Sequence, residues 1–168
     1  VATGSHPFVP PFPGKDQDFV KSAVDILNGK EQAEGTIAVI GGGLVGGETA
    51  NFLATHGSQV TIIEMLPEIV AEEPDNMKRF LLKSFAEHQV DIHENTAVST
   101  INSDKTITVD CKGEKKNLGP FDYIVTAVGM RANTELKDTL EDIVSEVVYV
   151  GDASAPGNAL SAIKDGYV

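Results

Sequence analysis

Gly41, Gly43 and Gly46 stand at the spacing G-x-G-x-x-G, and Glu64 follows 21 residues after Gly43. The apolar run Ile37, Ala38, Val39 and Ile40 enters this glycine turn. A helix-like pattern leaves it, and a second apolar run ends at Glu64. Such a spacing, in strand–turn–helix context, suits the cradling of a dinucleotide's phosphates. Gly41 permits the tight turn, Gly43 lets a pyrophosphate approach the backbone, and Gly46 lets the helix pack closely on the sheet. The helix then presents unpaired N–H groups and the positive end of its dipole. Glu64 is placed to accept hydrogen bonds from both hydroxyls of an adenosine ribose. Gly42, Leu44, Val45 and Met65 complete the candidate set around the turn. A methyltransferase-type nucleotide site and a glycine turn without ligand compete with this reading. Three consecutive glycines, however, cost conformational stability that a turn without a ligand does not offset.

The acid at position 64 favours NAD over NADP. A 2′-phosphate would add about −2 charge beside Glu64, with Glu68, Glu72 and Glu73 close in sequence. No Lys or Arg occurs between Glu64 and Met77 to receive it. Like charges about 4 Å apart cost roughly 4 kcal/mol at a surface-like dielectric.

The elements that must position these residues follow from periodicity and punctuation. A strand over Thr36–Ile40, a helix over 44–56 stopped by Gly57, and a strand over 59–64 build the site. Phe19, Ala23, Val24 and Leu27 fall at helical spacing before the stop Asn28-Gly29. Met77, Phe80, Leu81 and Phe85 share one face of a helix over 75–88, and 90–93 is a short strand. The β-branched runs Thr96–Ile101 and 106–111 read as a hairpin. Segments 123–127 and 147–150 are strands, 133–143 is helix or loop, and 159–168 is a helix. Residues 5–14 hold four prolines and read as an extended connector. The fold class is α/β: a Rossmann-like three-layer nucleotide-binding domain with a parallel sheet and a β-hairpin layer.

Composition sets the outer limits. The 168 residues suggest one domain, or one and a fraction, and 41% hydrophobic content supplies a core. A formal charge of −12 argues against nucleic acid and anionic membrane surfaces. No apolar run reaches the length of a membrane span. Cys111 stands alone, which leaves no cysteine metal site in this sequence and fits a reducing cytoplasm. His6, His56, His88 and His93 show no metal spacing. The expectation is of a piece excised from a longer polypeptide.

Three further motifs flank the fingerprint: Ala2-Thr3-Gly4-Ser5, the Thr126–Asn133 segment TAVGMRAN, and Val150-Gly151-Asp152-Ala153 with Pro156-Gly157-Asn158-Ala159. Together with GGGLVGGETA they resemble the two-dinucleotide-binding-domain flavoprotein superfamily. VIGGGLVGGETANFLATHG, VTIIEMLPEI and GDASAPGNALSAI resemble, more narrowly, the pyridine-nucleotide end of NADH:flavin oxidoreductases related to 2-enoate reductase and 2,4-dienoyl-CoA reductase. The resemblance implies an NAD(H) domain over 16–145 inserted into a FAD domain, whose remnants are 1–15 and 146–168. It implies that Thr3 and Gly4 lie near FAD phosphates or adenosine. Gly151 and Asp152 would then serve the FAD ribityl or pyrophosphate region, and Ala159 would start a helix pointing at the flavin. It places the FAD-side glycine fingerprint, an FMN barrel and an iron–sulfur cluster outside this chain. It also implies that Val128 and Gly129 let the NAD backbone pass closely. Ala97 and Val98 either touch adenine through backbone groups or merely start a strand. Glu48, expected in the first turn of the phosphate-site helix, either approaches the nicotinamide or is a carboxylate favoured by the helix dipole. The implied activity is NADH docking for hydride transfer to FAD, in a parent that reduces activated carbon–carbon double bonds. An NADH oxidase or disulfide-reductase-like parent is the alternative, and a non-catalytic NAD sensor is the alternative of another class. The flanking FAD motifs argue against a sensor. No catalytic residue is named, and the chain alone is expected to bind NAD(H) without catalysing a reaction.

Overall fold

The computed structural model describes residues 1–71, 73–141 and 143–167. Glu72, one of the acidic neighbours of Glu64, and Val168, the end of the expected last helix, lie outside them. In chain order the elements are β1 (Ser5–Pro7), β2 (Val20–Ser22), α1 (Ala23–Leu27), β3 (Thr36–Ile40), α2 (Leu44–Thr55) and β4 (Gln59–Ile63). Then follow α3 (Asp75–Glu87), β5 (Asp91–His93), β6 (Thr96–Ile101), β7 (Ile107–Cys111), β8 (Glu114–Leu118), β9 (Tyr123–Thr126), β10 (Met130–Ala132), α4 (Lys137–Glu141) and α5 (Ala159–Asp165). The chain divides into two compact units, Val9–Gly129 and Val1–Phe8 with Met130–Val168.

In the larger unit, β2, β9, β3, β4 and β5 form in that order a wholly parallel sheet. Ile37, Ala38, Val39 and Ile40 of β3 are all buried, as a central parallel strand requires. Their alternation feeds two cores. Ile37 and Val39 pack with Ala50, Leu53, Leu81 and Phe85 of α2 and α3. Ala38 and Ile40 pack with Ile101, Ile107 and Val109 of the antiparallel layer. Helices, parallel sheet and antiparallel sheet thus form three layers, as the sequence leads one to expect. α2 ends with His56 as its C-cap, followed by Gly57 at φ +93°, a left-handed stop that glycine adopts without steric cost.

The structure differs from the sequence expectations in four elements. The helix anticipated from Phe19 begins only at Ala23, because Val20–Ser22 instead pairs with Ile124–Thr126 as an edge of the parallel sheet. The hairpin is a three-stranded meander, β6-β7-β8. Its third strand, EKKNL, is mostly exposed and carries no apolar alternation to announce it. On α3, Leu81 and Phe85 are buried, but Met77 and Phe80 are exposed, since the buried face runs through Leu81, Ser84 and Phe85. Segment 133–143, expected as helix or loop, agrees with that expectation: it contains the short α4, with Asp142 outside the described residues. Residues 147–150 form no strand. Val150 N–H reaches Val1 O (2.9 Å) and the Val1 ammonium reaches Val148 O (2.6 Å), two bonds that do not continue into a ladder.

The smaller unit contains the antiparallel pair β1–β10 and α5. Among the described residues no helix is long and apolar enough to cross a membrane, and no cluster of His, Cys, Asp and Glu is arranged to hold a metal ion.

Candidate functional site

The glycine turn lies at the carboxyl end of β3, between β4 and β9. Gly41 N–H donates to Ile63 O (2.9 Å), and Ala127 N–H donates to Ile40 O (2.8 Å). Gly41 adopts φ +102°, and a Cβ there would stand 2.4 Å from Ala127 O. A Cβ on Gly46 would stand 1.9 Å from Gly41 O, so the first turn of α2 rests directly on the backbone of the glycine turn. Gly43 is different in kind. It is the exposed N-cap of α2, its φ of −70° suits any residue, and a Cβ there would meet no atom within 4 Å. No side chain caps α2. Its first intrahelical bond is Gly47 N–H to Gly43 O (2.8 Å), and the N–H groups of Leu44, Val45 and Gly46 precede that bond.

Glu64 is buried, with 8% of its surface exposed. Its Oε2 accepts Gly42 N–H (2.6 Å) and its Oε1 accepts Leu66 N–H (2.7 Å). Its backbone is held as well: Glu64 N–H donates to His93 O (2.9 Å), and Glu64 O accepts Thr96 N–H (2.8 Å). That second bond brings the start of β6, with half-buried Ala97 and Val98, to the same end of the sheet. Val98 and Val128 pack on the core that contains Ile40 and Ile63. The Val128 backbone N would stand 3.3 Å from a Cβ on Gly41. Gly129 follows it, exposed and at φ +106°. Met65 is 69% exposed. Glu48 is also exposed but lies one residue beyond the first turn of α2, not within it as the sequence reading has it. The structure therefore gathers the glycines, Glu64, the start of β6 and Val128 at one end of one sheet.

Two features escape sequence reading. The loop after β4 folds back on the turn: Ile69 and Val70 are buried, Val70 N–H donates to Gly42 O (2.7 Å), and Ile69 Cγ2 would stand 2.5 Å from a Cβ on Gly42. Two adjacent β-branched apolar residues in an otherwise acidic segment were the available signal. The second is Lys78. The span from Glu64 to Met77 contains no cation, yet Lys78 of α3 reaches back to pair with Glu68. An open cleft of about 570 Å³, lined by Phe19, Glu34, Lys105 and Asp122 among others, lies at the amino ends of the strands instead, away from the glycine turn.

In the smaller unit, Gly4 adopts φ +75° and its O accepts Asn133 N–H (2.9 Å), while Thr3 Oγ1 donates to Asn133 O (2.7 Å). Asp152 accepts Ser5 Oγ–H (2.8 Å) and Gly157 N–H (3.1 Å). Gly151 N–H donates to Asp165 Oδ2 (3.2 Å). Ala159 begins α5 behind a closed capping box made by Asn158 and Ser161.

The sequence profile of the pyridine nucleotide-disulphide oxidoreductase family matches residues 1–147. The chain belongs to that family. The family uses NAD(P)H and FAD and consists of oxidoreductases. The chain is 38% identical over 169 residues to a bilirubin reductase of Mediterraneibacter gnavus, covering 100% of this chain and 26% of that protein. It is 36% identical over 173 residues to an NADH oxidase of Thermoanaerobacter brockii, covering 99% and 26% respectively. Among solved structures, a 2-naphthoyl-CoA reductase in complex with 2-naphthoyl-CoA superposes with a TM-score of 0.87 at 28% identity, covering 99% of this chain and 25% of that one. The chain thus spans 26% of the length of these curated relatives.

Proposed function

We propose that this chain is the NADH-binding module of a flavin-dependent oxidoreductase. The observation that carries the reading is the contrast within the fingerprint: Gly41 and Gly46 are closed by packing, while Gly43 opens on space free of protein atoms at the uncapped start of α2. A phosphate entering there would meet N–H groups and the helix dipole, so the residues present fit the group. Gly41 to Gly46, with Leu44 and Val45, hold the pyrophosphate. Glu64 and Met65 flank the adenosine ribose, and Ala97 and Val98 flank the adenine. Glu48, Val128 and Gly129 line the path toward the nicotinamide. Bound nicotinamide supplies the hydride that FAD accepts; the chain's own residues orient and select.

The nucleotide module is 16–145 in sequence, and 1–15 and 146–168 belong to the FAD side. There Thr3, Gly4, Gly151, Asp152 and Ala159 would face FAD in the whole enzyme, with Asp152 already ordering Ser5 and Gly157. FMN and an iron–sulfur cluster belong to the parent outside this chain. Likeness to a 2-naphthoyl-CoA reductase supports reduction of an activated carbon–carbon double bond on an acyl-CoA or enoate. Likeness to an NADH oxidase supports the second reading, in which the parent passes electrons to oxygen.

Calorimetry with NADH and NADPH tests the module. NADH binds about tenfold tighter or better, because a 2′-phosphate meets Glu64, and Lys78 is already neutralised by Glu68. Equal affinities remove the selectivity, and no binding of either removes the function. The purified chain is expected to be colourless and to leave NADH unoxidised when FAD is added; a stoichiometric yellow protein would contradict that.

A further inference from the structure

A residue that only read a ribose would hold its carboxylate out to solvent. Glu64 does the opposite. It is 8% exposed, and each carboxylate oxygen is already engaged by a backbone donor from a different segment, Gly42 N–H at 2.6 Å and Leu66 N–H at 2.7 Å. Its own backbone is fixed between His93 of β5 and Thr96 of β6. Gly42 is buried, its O accepts Val70 N–H, and its N–H has Glu64 as partner. A buried N–H that loses a charged acceptor pays its full desolvation cost. A carboxylate has about four acceptor sites, so the two backbone bonds leave acceptor capacity for a ribose.

We infer that Glu64 is a positioning residue that locks the glycine turn to the loop after β4 before any nucleotide arrives. This deepens the NADH reading and rests on it only where nucleotide affinity is measured. The lock has a chemical requirement that ribose recognition lacks. Both oxygens must accept, because both partners are backbone donors. Gln in place of Glu turns an NH2 toward one of those donors, whereas a ribose hydroxyl can bond either end of an amide.

The test compares the wild-type chain with Glu64→Gln by amide hydrogen exchange without nucleotide. Gly42 and Leu66 amides are expected to exchange about tenfold faster or more in the variant. Val39 in the core of β3 keeps its rate, which a general loss of fold would not allow. Unchanged exchange at Gly42 and Leu66 overturns the lock. Calorimetry then compares NADH with an analogue whose adenosine ribose lacks both hydroxyls. The affinity lost in Glu64→Gln persists with the analogue if the turn has been unlocked; a loss that disappears with it overturns positioning in favour of ribose contact alone. Wild-type chain that binds neither compound refutes the NADH reading, and the exchange result still decides the lock. Should Glu64→Gln fail to fold, Glu64→Asp serves. One methylene shorter, it cannot reach Gly42 and Leu66 together, so at least one of those amides accelerates about tenfold. Acceleration of neither overturns the proposal.

Discussion

At the carboxyl ends of β3 and β9 the chain passes through Gly41–Gly43 and Ala127–Gly129, with α2 uncapped and Gly43 facing open space. At the amino ends of the same strands the finish is the reverse. Asp122 Oδ2 accepts both the N–H and the hydroxyl of Thr36, each at 2.8 Å, and Asp122 N–H donates to Thr36 O at 2.7 Å. Gly35 O accepts Gln59 N–H (2.9 Å), and a Cβ on Gly35 would stand 2.3 Å from Asp122 Oδ2. The amino end ties its backbone groups to Asp122 and Thr36; at the carboxyl end Glu64 ties Gly42 and Leu66, but the first N–H groups of α2 are left for something else to satisfy. Unpaired donors are tolerable where water or a ligand reaches them. Openness here is local: Gly41, Gly42 and Gly46 are packed as tightly as the closed end, and only Gly43 is free.

The sharpest way to separate packing from opening is to add a side chain at each glycine. Gly46→Ala drives a methyl group into Gly41 O, a backbone atom of the turn that Gly41 N–H ties to Ile63 of β4, and is expected to destabilise the chain by about 3 kcal/mol in denaturant unfolding. A native midpoint would mean that α2 can slide off the turn. In Gly43→Val the added Cβ meets no protein atom within 4 Å, and the residue needs no unusual φ. Its unfolding midpoint and circular dichroism should match wild type, while NADH affinity falls about a hundredfold, the worth of two charge-assisted contacts. Retained affinity would show that no phosphate sits there.

The open end was the more legible of the two. β3 is as expected at both ends, and α2 and β4 are each one residue shorter than expected, because apolar runs, glycine punctuation and helical periodicity agree there. The Asp122–Thr36 clamp is invisible in sequence, since the two residues are 86 positions apart and neither belongs to a motif. β8 escaped for a different reason: an exposed edge strand has no buried face to impose alternation. The helical spacing of Phe19, Ala23, Val24 and Leu27 runs across Val20–Ser22, where pairing with β9 overrides it. At Glu64 the motif indicates an acid at the right place, but the bonds of its carboxylate to Gly42 and Leu66 arise only from the fold of the turn and the loop after β4.

The smaller unit offers a control for what an ordinary helix start looks like. Asn158 Oδ1 accepts Ser161 N–H (3.0 Å) and Ser161 Oγ accepts Asn158 N–H (3.1 Å), closing α5 with its own side chains. Asn158→Ala should cost about 1 kcal/mol where α5 is probed by hydrogen exchange and leave NADH affinity in the larger unit unchanged. A change in NADH affinity would mean that the capped helix and the open one are not independent.

The smallest expected effect concerns the closed end and is a matter of pH. The Thr36 backbone N–H, then its hydroxyl, hold the Asp122 carboxyl below its ordinary value against a small opposing effect of burial, with Lys105 adding a weak pull. A carboxyl with a folded pKa below its unfolded one binds fewer protons when folded. Its stabilising contribution is therefore complete above the unfolded value, about pH 4, and is lost as pH falls through the folded value. Because Asp122 is solvent-exposed, the contribution is small. Asp122→Asn should lower the melting temperature slightly at pH 7, and the difference from wild type should narrow below about pH 4 as wild-type Asp122 takes up its own proton. A difference that stays constant down to pH 2.5, roughly a unit and a half below the ordinary carboxyl range, would mean that Asp122 clamps Thr36 by shape alone. The closed end would then owe its closure to packing, as Gly41 and Gly46 do at the open one.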